Sequence, residues 1–231
     1  MITKRLTKNI LVELTANHLH VQFDTAYQVT SSAVLGGGFT EASHILNVKV
    51  EKNLKGNDST FKSPEGMLSN YCIEHNWKGP TVGMMTAASM DSYRMARATE
   101  KDVDIIVLVT TGLSNARRAG DYAEHRQIKP VVFDAGTINI ICLTSIGMAP
   151  AAMIEAVMTA TEAKAAALQN LDIKSPVSNE PATGTGTDSI AIAVNPIAEK
   201  IQYCGKHVVF GEILARLVME AVTSSVKGDC T

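Results

Sequence analysis

The chain has 231 residues, 45% hydrophobic and 19% charged, with 21 Lys+Arg against 23 Asp+Glu and a formal net charge of −2. Such a length makes one large domain or two small ones and buries a core without disulfide staples. The balance excludes a disordered chain and offers no basic surface to a polyanion. With 5 Phe, 5 Tyr and 1 Trp there is little material for stacking single-stranded bases.

Alternating and apolar runs predict strands at 10–14, 19–23, 45–50, 81–85, 105–110, 131–133, 137–143 and 189–194. Residues 93–99 read as the first arm of a hairpin that turns at Glu100-Lys101-Asp102. Pro64 and Pro150 mark helix starts, since a first-turn proline loses no hydrogen bond. In the second of these helices Ile154, Val157, Met158, Thr161, Ala165 and Leu168 are expected to share the buried face, with Glu162 and Lys164 flanking it on opposite sides. A last helix runs from about Phe210 to Ser224 on Ile213, Leu214, Leu217, Val218 and Ala221. Polar stretches at 51–63 and 172–188 interrupt the chain. The longer one, a connection of this length without elements of its own, is a candidate functional loop.

No repeat or domain boundary stands out, so residues 1–231 read as a single globular α/β (or α+β) domain, a mixed β-sheet with packed helices. No apolar run reaches the ~18–20 residues of a membrane span. Cys72, Cys142, Cys204 and Cys230 are scattered without CxxC pairing. A cytoplasmic chain is expected, with no metal site, no required cofactor and no nucleic-acid partner. Oligomeric state is open, a homo-oligomer included. His18, His20, His75 and His125 read as exposed loop or helix-end residues, and the ten methionines as core filler.

Small polar residues collect at the strand ends. Thr183-Gly184-Thr185-Gly186-Thr187-Asp188 precedes the strand at 189–194. It is neither a dinucleotide fingerprint, which follows a strand and opens a helix, nor a P-loop, because the Lys-Ser/Thr ending is missing. It is either a ligand-binding turn or a flexible turn whose Asp188 caps backbone amides. Ser31-Ser32-Ala33-Val34-Leu35-Gly36-Gly37-Gly38 is a second such turn, packed against a ligand or another backbone, or a plain hairpin corner. Thr110-Thr111-Gly112-Leu113-Ser114-Asn115 ends the most apolar strand, but lacks the G-x-S-x-G elbow of a serine nucleophile. Lys206-His207 before the last helix could supply an oxyanion partner and a neutral-pH acid or base. Together these suit a pocket of backbone and small donors around a bulky neutral ligand.

In series, the same motifs resemble the adenosylcobinamide amidohydrolases (CbiZ type). The stretches that carry the resemblance are Ser31–Gly38 with His44-Ile45-Leu46-Asn47, Val82–Ala87, Thr111–Ala116 with Ala119-Gly120-Asp121, Gly136-Thr137-Ile138-Asn139-Ile140, Thr161–Leu168, Thr183–Asp188, and Gly205-Lys206-His207 with Gly211-Glu212. They run from about residue 30 to 215. Val208 departs from the Thr that often follows Gly-Lys-His in the family, which puts one hydroxyl contact in doubt.

The resemblance implies a cobalt corrinoid substrate and hydrolysis of the amide that joins its aminopropanol arm to the ring. The products would be adenosylcobyric acid and 1-aminopropan-2-ol, a step of cobamide salvage. It does not assign catalytic residues. On chemical grounds Asp188 or Glu162 is the candidate base, His207 the acid for the leaving amine, and Lys164 or Lys206 the oxyanion partner, with the 185–187 backbone amides. A covalent route through Thr187 or Ser114 stays open. Candidate substrate-binding residues are Ser32, Gly37, Gly38, His44 and Asn47 from the first half, and Ser114, Asn115, Asn139, Thr185, Thr187 and Lys206 from the second. Alternatives are a non-catalytic corrinoid-binding protein and an amidohydrolase of another bulky amide.

Overall fold

The structure, a computed structural model, describes residues 1–50, 63–123 and 136–228. Strands β1 (Ile2–Thr7) and β2 (Ile10–Leu14) lead into the long β3 (His18–Ser31), which returns as β4 (Gly38–Lys49). Helix α1 (Pro64–Glu74), β5 (Thr81–Thr86), a 3-10 turn at Met90–Ser92, β6 (Arg94–Glu100), β7 (Val103–Thr111) and short β8 (Ala116–Arg117) follow. The second half holds β9 (Ile138–Thr144), β10 (Gly147–Met148), α2 (Pro150–Asn170), β11 (Gly184–Thr185), β12 (Ser189–Val194), β13 (Lys200–Ile201) and α3 (Val209–Lys227).

One mixed sheet runs in the order β1-β2-β3-β12-β9-β7-β6, while β4 takes the other edge of β3 and carries β5. Strand β3 is long enough to serve two partners on one edge. Residues 19–23 pair with β2 and residues 28–31 with β12, and its register with β4 shifts between Gln22 and Tyr27. The break curls the sheet so that its two halves face each other. Val12, Val21, Val29 and Ile45 from one half bury against Ile106, Leu108, Ile141 and Leu143 from the other. Alternate residues of the second half, Val107, Val109, Ile140 and Ile192, meet α2 and α3. Leu46 and Val48 meet Leu68 and Cys72 of α1. The strands are apolar on both faces because both faces are covered. The chain is therefore a single α/β domain with helices on a mixed sheet, as its sequence implies.

The hairpin at 93–99 forms, and its turn places Lys101 and Asp102 at φ 48° and 64°. Gly36 turns the β3–β4 corner at φ 62°, where a Cβ would strike the Thr81 carbonyl. That triple-glycine stretch packs on another backbone: Leu35 and Gly83 exchange both of their main-chain hydrogen bonds.

Four expectations need correction. Strand β1 escaped notice because five of its six residues are polar or exposed; it is an edge strand held by β2. The buried stripe of α2 is Ala152, Met153, Ala156, Thr159, Ala160, Ala163, Lys164, Ala167 and Leu168, whereas Ile154 and Met158 are half-exposed. Alanines let α2 close onto α3 and the Ile/Val face of the sheet, so contact distance outweighed side-chain size. His18 and His20 are buried in β3, at 3% and 4% exposure. The 172–188 connection is not bare loop, because Lys174 bridges Pro181 and β11 pairs with β8. The strand at 131–133, His125, Cys230 and most of the 51–63 stretch lie outside the described residues.

Candidate active site

Strands β9 and β12 start, and β7 ends, at one end of the sheet. The β8–β11 pairing folds the Thr-Gly turn onto it, with Thr185 opposite Ala116. Asp188 stands at the centre, just before β12. Its Oδ1 accepts from the Ile138 amide at 3.0 Å and from Thr185 Oγ1 at 2.5 Å. Its Oδ2 accepts from the Thr185 amide at 3.0 Å and from Lys164 Nζ. The ion pair is buried, with 7% of the Lys164 and 11% of the Asp188 side chain exposed. Four donors fill the roughly four lone-pair sites of a carboxylate. Asp188 thus fixes Lys164, the turn and the start of β9 together. The space is tight: a Cβ on Gly184 would meet Asp188 and lie 2.7 Å from Lys164 Nζ.

Hydroxyls line up beside this pair. Thr187 Oγ1 donates to the Gly136 carbonyl at 2.8 Å and so receives the proton of Thr137 Oγ1 at 2.6 Å. Ser32 Oγ reaches Ser189 Oγ at 3.2 Å and accepts from the Ile190 amide. Across the mouth between the sheet halves, Asn47 Nδ2 donates to Thr110 Oγ1 at 2.9 Å. Asn139 Nδ2 donates to Asn47 Oδ1 at 2.8 Å and to the Met85 carbonyl at 2.9 Å. Asn139 Oδ1 and both polar atoms of Asn115 are buried without a hydrogen-bond partner among the described residues. Leaving buried polar groups unpaired costs about 1–3 kcal/mol each.

The candidate residues fall into three groups. Lys164, Asp188, Thr185 and Thr187 come together, with Asn115 and the exposed Ser114 beside them. A Cβ on Gly136 would sit 2.9 Å from Ser114 Oγ, and one on Gly186 would sit 3.4 Å from Asn115 Nδ2. Asn47, Asn139 and Ser32 lie at the same end, on the inner face. Glu162 and Lys206 form an exposed ion pair elsewhere, 51% and 66% exposed, with His207 exposed next in chain. On a helix, residues 162 and 164 point about 200° apart, so this group faces away from Lys164.

His44 is absorbed by packing. Its Nε2 donates to the Lys78 carbonyl at 3.0 Å, which leaves Nδ1 to accept from His20 Nε2 at 3.0 Å. Burial, then the neighbouring His44, pushes the His20 pKa down to about 3. His20 also stacks on Trp77 at 3.8 Å. Gly37 and Gly38 form the hairpin corner. Thr137, Thr110 and Ser189 are not among the expected site residues; Thr137 directly precedes β9 and Ser189 opens β12, a position where polar residues signal a strand end. Burial keeps the three described cysteines as thiols, with Cys204 pushed up to about 12. No group of three or more potential metal ligands occurs among the described residues. Nor is any described helix long and apolar enough to cross a membrane.

A family model for adenosylcobinamide amidohydrolase, CbiZ, matches residues 3–230. The chain belongs to this family. Membership makes it an amidohydrolase. It is 29% identical over 204 residues to an uncharacterized protein of Methanocaldococcus jannaschii, covering 82% of this chain and 78% of that one. It is 25% identical over 207 residues to the adenosylcobinamide amidohydrolase of Methanosarcina mazei, covering 85% and 88%. Among solved structures, the PH0078 protein from Pyrococcus horikoshii superposes with a TM-score of 0.46 at 10% identity, over 98% of this chain and 82% of that one.

Proposed function

We propose that this amidohydrolase cleaves the amide between the aminopropanol arm and the corrin ring of adenosylcobinamide, giving adenosylcobyric acid and 1-aminopropan-2-ol. The observation that supports it best is the buried Lys164–Asp188 pair set among threonine hydroxyls, in a chain matched to the family almost end to end. Amide hydrolysis needs charge stabilisation at the carbonyl oxygen, a nucleophile, and a proton for the leaving amine. Lys164 has three N–H donors and Asp188 occupies one; the others serve the oxyanion. Asp188 is the positioning residue that aims Lys164 and braces the 185–187 turn. The nucleophile is Thr187 Oγ or a water beside it, since Thr187 is exposed at the turn while its hydroxyl is held in one orientation. The proton that the nucleophile gives up passes to the departing amine nitrogen as the C–N bond breaks, and on the covalent route a water then hydrolyses the Thr187 ester to the acid. Glu162, Lys206 and His207 take no part in the chemistry. The corrinoid enters as substrate with its cobalt as cargo.

The test incubates purified protein with adenosylcobinamide and analyses products by mass. Adenosylcobyric acid is expected from wild type, Glu162→Ala and His207→Ala. Lys164→Met is expected to lose about 10²–10³ in turnover, the usual effect of removing one oxyanion donor. No adenosylcobyric acid at any wild-type concentration defeats the reading. A mass-shifted acyl-enzyme on Thr187 selects the covalent route.

A further inference from the structure

The hydroxyls and the carboxylate of the site converge on an amide that the chain already holds, the peptide bond between Gly136 and Thr137. Thr187 Oγ1 donates to the Gly136 carbonyl at 2.8 Å, and Thr185 Oγ1 stands 3.4 Å from the same oxygen. Thr137 Oγ1 lies 2.6 Å from Thr187 Oγ1, so one hydroxyl touches both the carbonyl and the side chain that follows it. One residue further on, the Ile138 amide donates to Asp188 Oδ1 at 3.0 Å. The turn at 185–188 thus grips this bond from both sides. Gly136 adopts φ +127°, and a Cβ there would lie 2.1 Å from Asn115 Oδ1 and 2.9 Å from Ser114 Oγ, so the acyl side of the bond must be bare. Thr137 is buried, whereas Gly186 and Thr187 face solvent.

A threonine hydroxyl is tethered next to the carbonyl carbon that precedes it, and its attack there closes a five-membered ring. Nothing has to diffuse to the bond for that step. What an ordinary Gly-Thr pair lacks is a route for the hydroxyl proton and a donor for the carbonyl oxygen as it gains charge. Thr187 supplies both, because it receives the Thr137 proton while its own already points at the Gly136 oxygen. We propose that the chain cleaves its own Gly136–Thr137 peptide bond, an activity beyond the hydrolysis of adenosylcobinamide. A bond forms between Thr137 Oγ and the Gly136 carbonyl carbon, and the C–N bond breaks. The hydroxyl proton, relayed through Thr187 Oγ, ends on the Thr137 nitrogen. Water entering beside the exposed Thr187 then hydrolyses the ester. That step restores the Thr137 hydroxyl and leaves a carboxylate on Gly136 and an ammonium on Thr137. One water is consumed, and the balance needs no other reactant.

The test incubates the purified full chain at neutral pH and follows its mass under denaturing conditions. Wild type is expected to convert into two fragments, residues 1–136 and 137–231, the second opening with Thr137-Ile138-Asn139 on N-terminal sequencing. Thr137→Ser is expected to cut and Thr137→Val to stay whole, the latter keeping the side chain's shape without its hydroxyl. Thr187→Val is expected to slow cleavage about 10²-fold or more, as loss of a proton-transfer group does. Neutral hydroxylamine, which captures esters, is expected to speed wild-type cleavage and to leave Gly136 as its hydroxamate. Wild type that stays whole overturns the proposal. So does Thr137→Val that is cut as fast as wild type, which would mark a contaminating protease, and so does cleavage confined to other bonds. Self-cleavage by a chain that leaves adenosylcobinamide untouched upholds this proposal and defeats the hydrolysis reading. Turnover of adenosylcobinamide by a chain that stays whole does the reverse.

Discussion

Removing the Asp188 carboxylate tests the centre of the site most directly. In Asp188→Ala, Lys164 is left without its carboxylate partner with only 7% of its side chain exposed, and the Ile138 and Thr185 amides lose their acceptor. Breaking a buried pair on one side costs about 3–5 kcal/mol, mostly because the remaining charge is uncompensated. The two stranded backbone amides keep the loss at the upper part of that range. Replacing both partners, Lys164→Met with Asp188→Asn, removes both charges and returns acceptor capacity, so the double variant is expected to recover at least ~2 kcal/mol relative to Asp188→Ala. Urea unfolding followed by circular dichroism measures each value. A loss below about 1 kcal/mol in Asp188→Ala, or a double variant weaker than the single one, would refute a buried and mutually dependent pair.

Three further outcomes follow from the same geometry. Glu162→Ala and Lys206→Ala should each shift stability by less than about 1 kcal/mol in urea titrations, as exposed ion pairs do, and both should keep turnover. His20 is neutral in the fold down to about pH 3 but protonates in the unfolded chain near its ordinary 6.5. Its contribution is thus present above 6.5 and lost as pH falls towards 3. Between pH 7 and 5 that loss is about 2 kcal/mol, and His20→Gln should flatten the pH dependence of the urea midpoint over this interval. The Lys101-Asp102 turn holds both residues at positive φ, so Lys101→Asn with Asp102→Gly should raise stability by about 1 kcal/mol in thermal or urea unfolding.

Much of the fold is legible one residue at a time. Strand β12 matches the run 189–194 because its six residues are buried on both faces. The two proline-led helices begin where a lost amide proton costs nothing, and α1 adds a Ser63 cap bonded to the Gly66 amide. The stripe of α3 is legible too, since its large aliphatics repeat at helical spacing. Local sequence also marks the Thr-Gly turn and its Asp188 as a candidate site. The alanine spacing of α2, at 152, 156, 160, 163 and 167, held the signal that places Lys164 inward, but ranking faces by side-chain size hid it.

What the sequence by itself determined is therefore the α/β class, the apolar strands, the helix starts and, through the order of its motifs, the family. Tertiary structure alone decided which charges meet. Lys164 and Glu162 are two residues apart and look alike on paper, yet one is carried into the sheet end against Asp188 and the other is left in solvent with Lys206. His18, His20 and His44 are polar in any local reading, but the curl of β3 and the docking of α1 bury them as hydrogen-bonded rings. Charge pairing and burial depend on segments that are distant in sequence, such as 164 with 188 or 20 with 44. Their energies come from desolvation and contact, which no window along the chain contains.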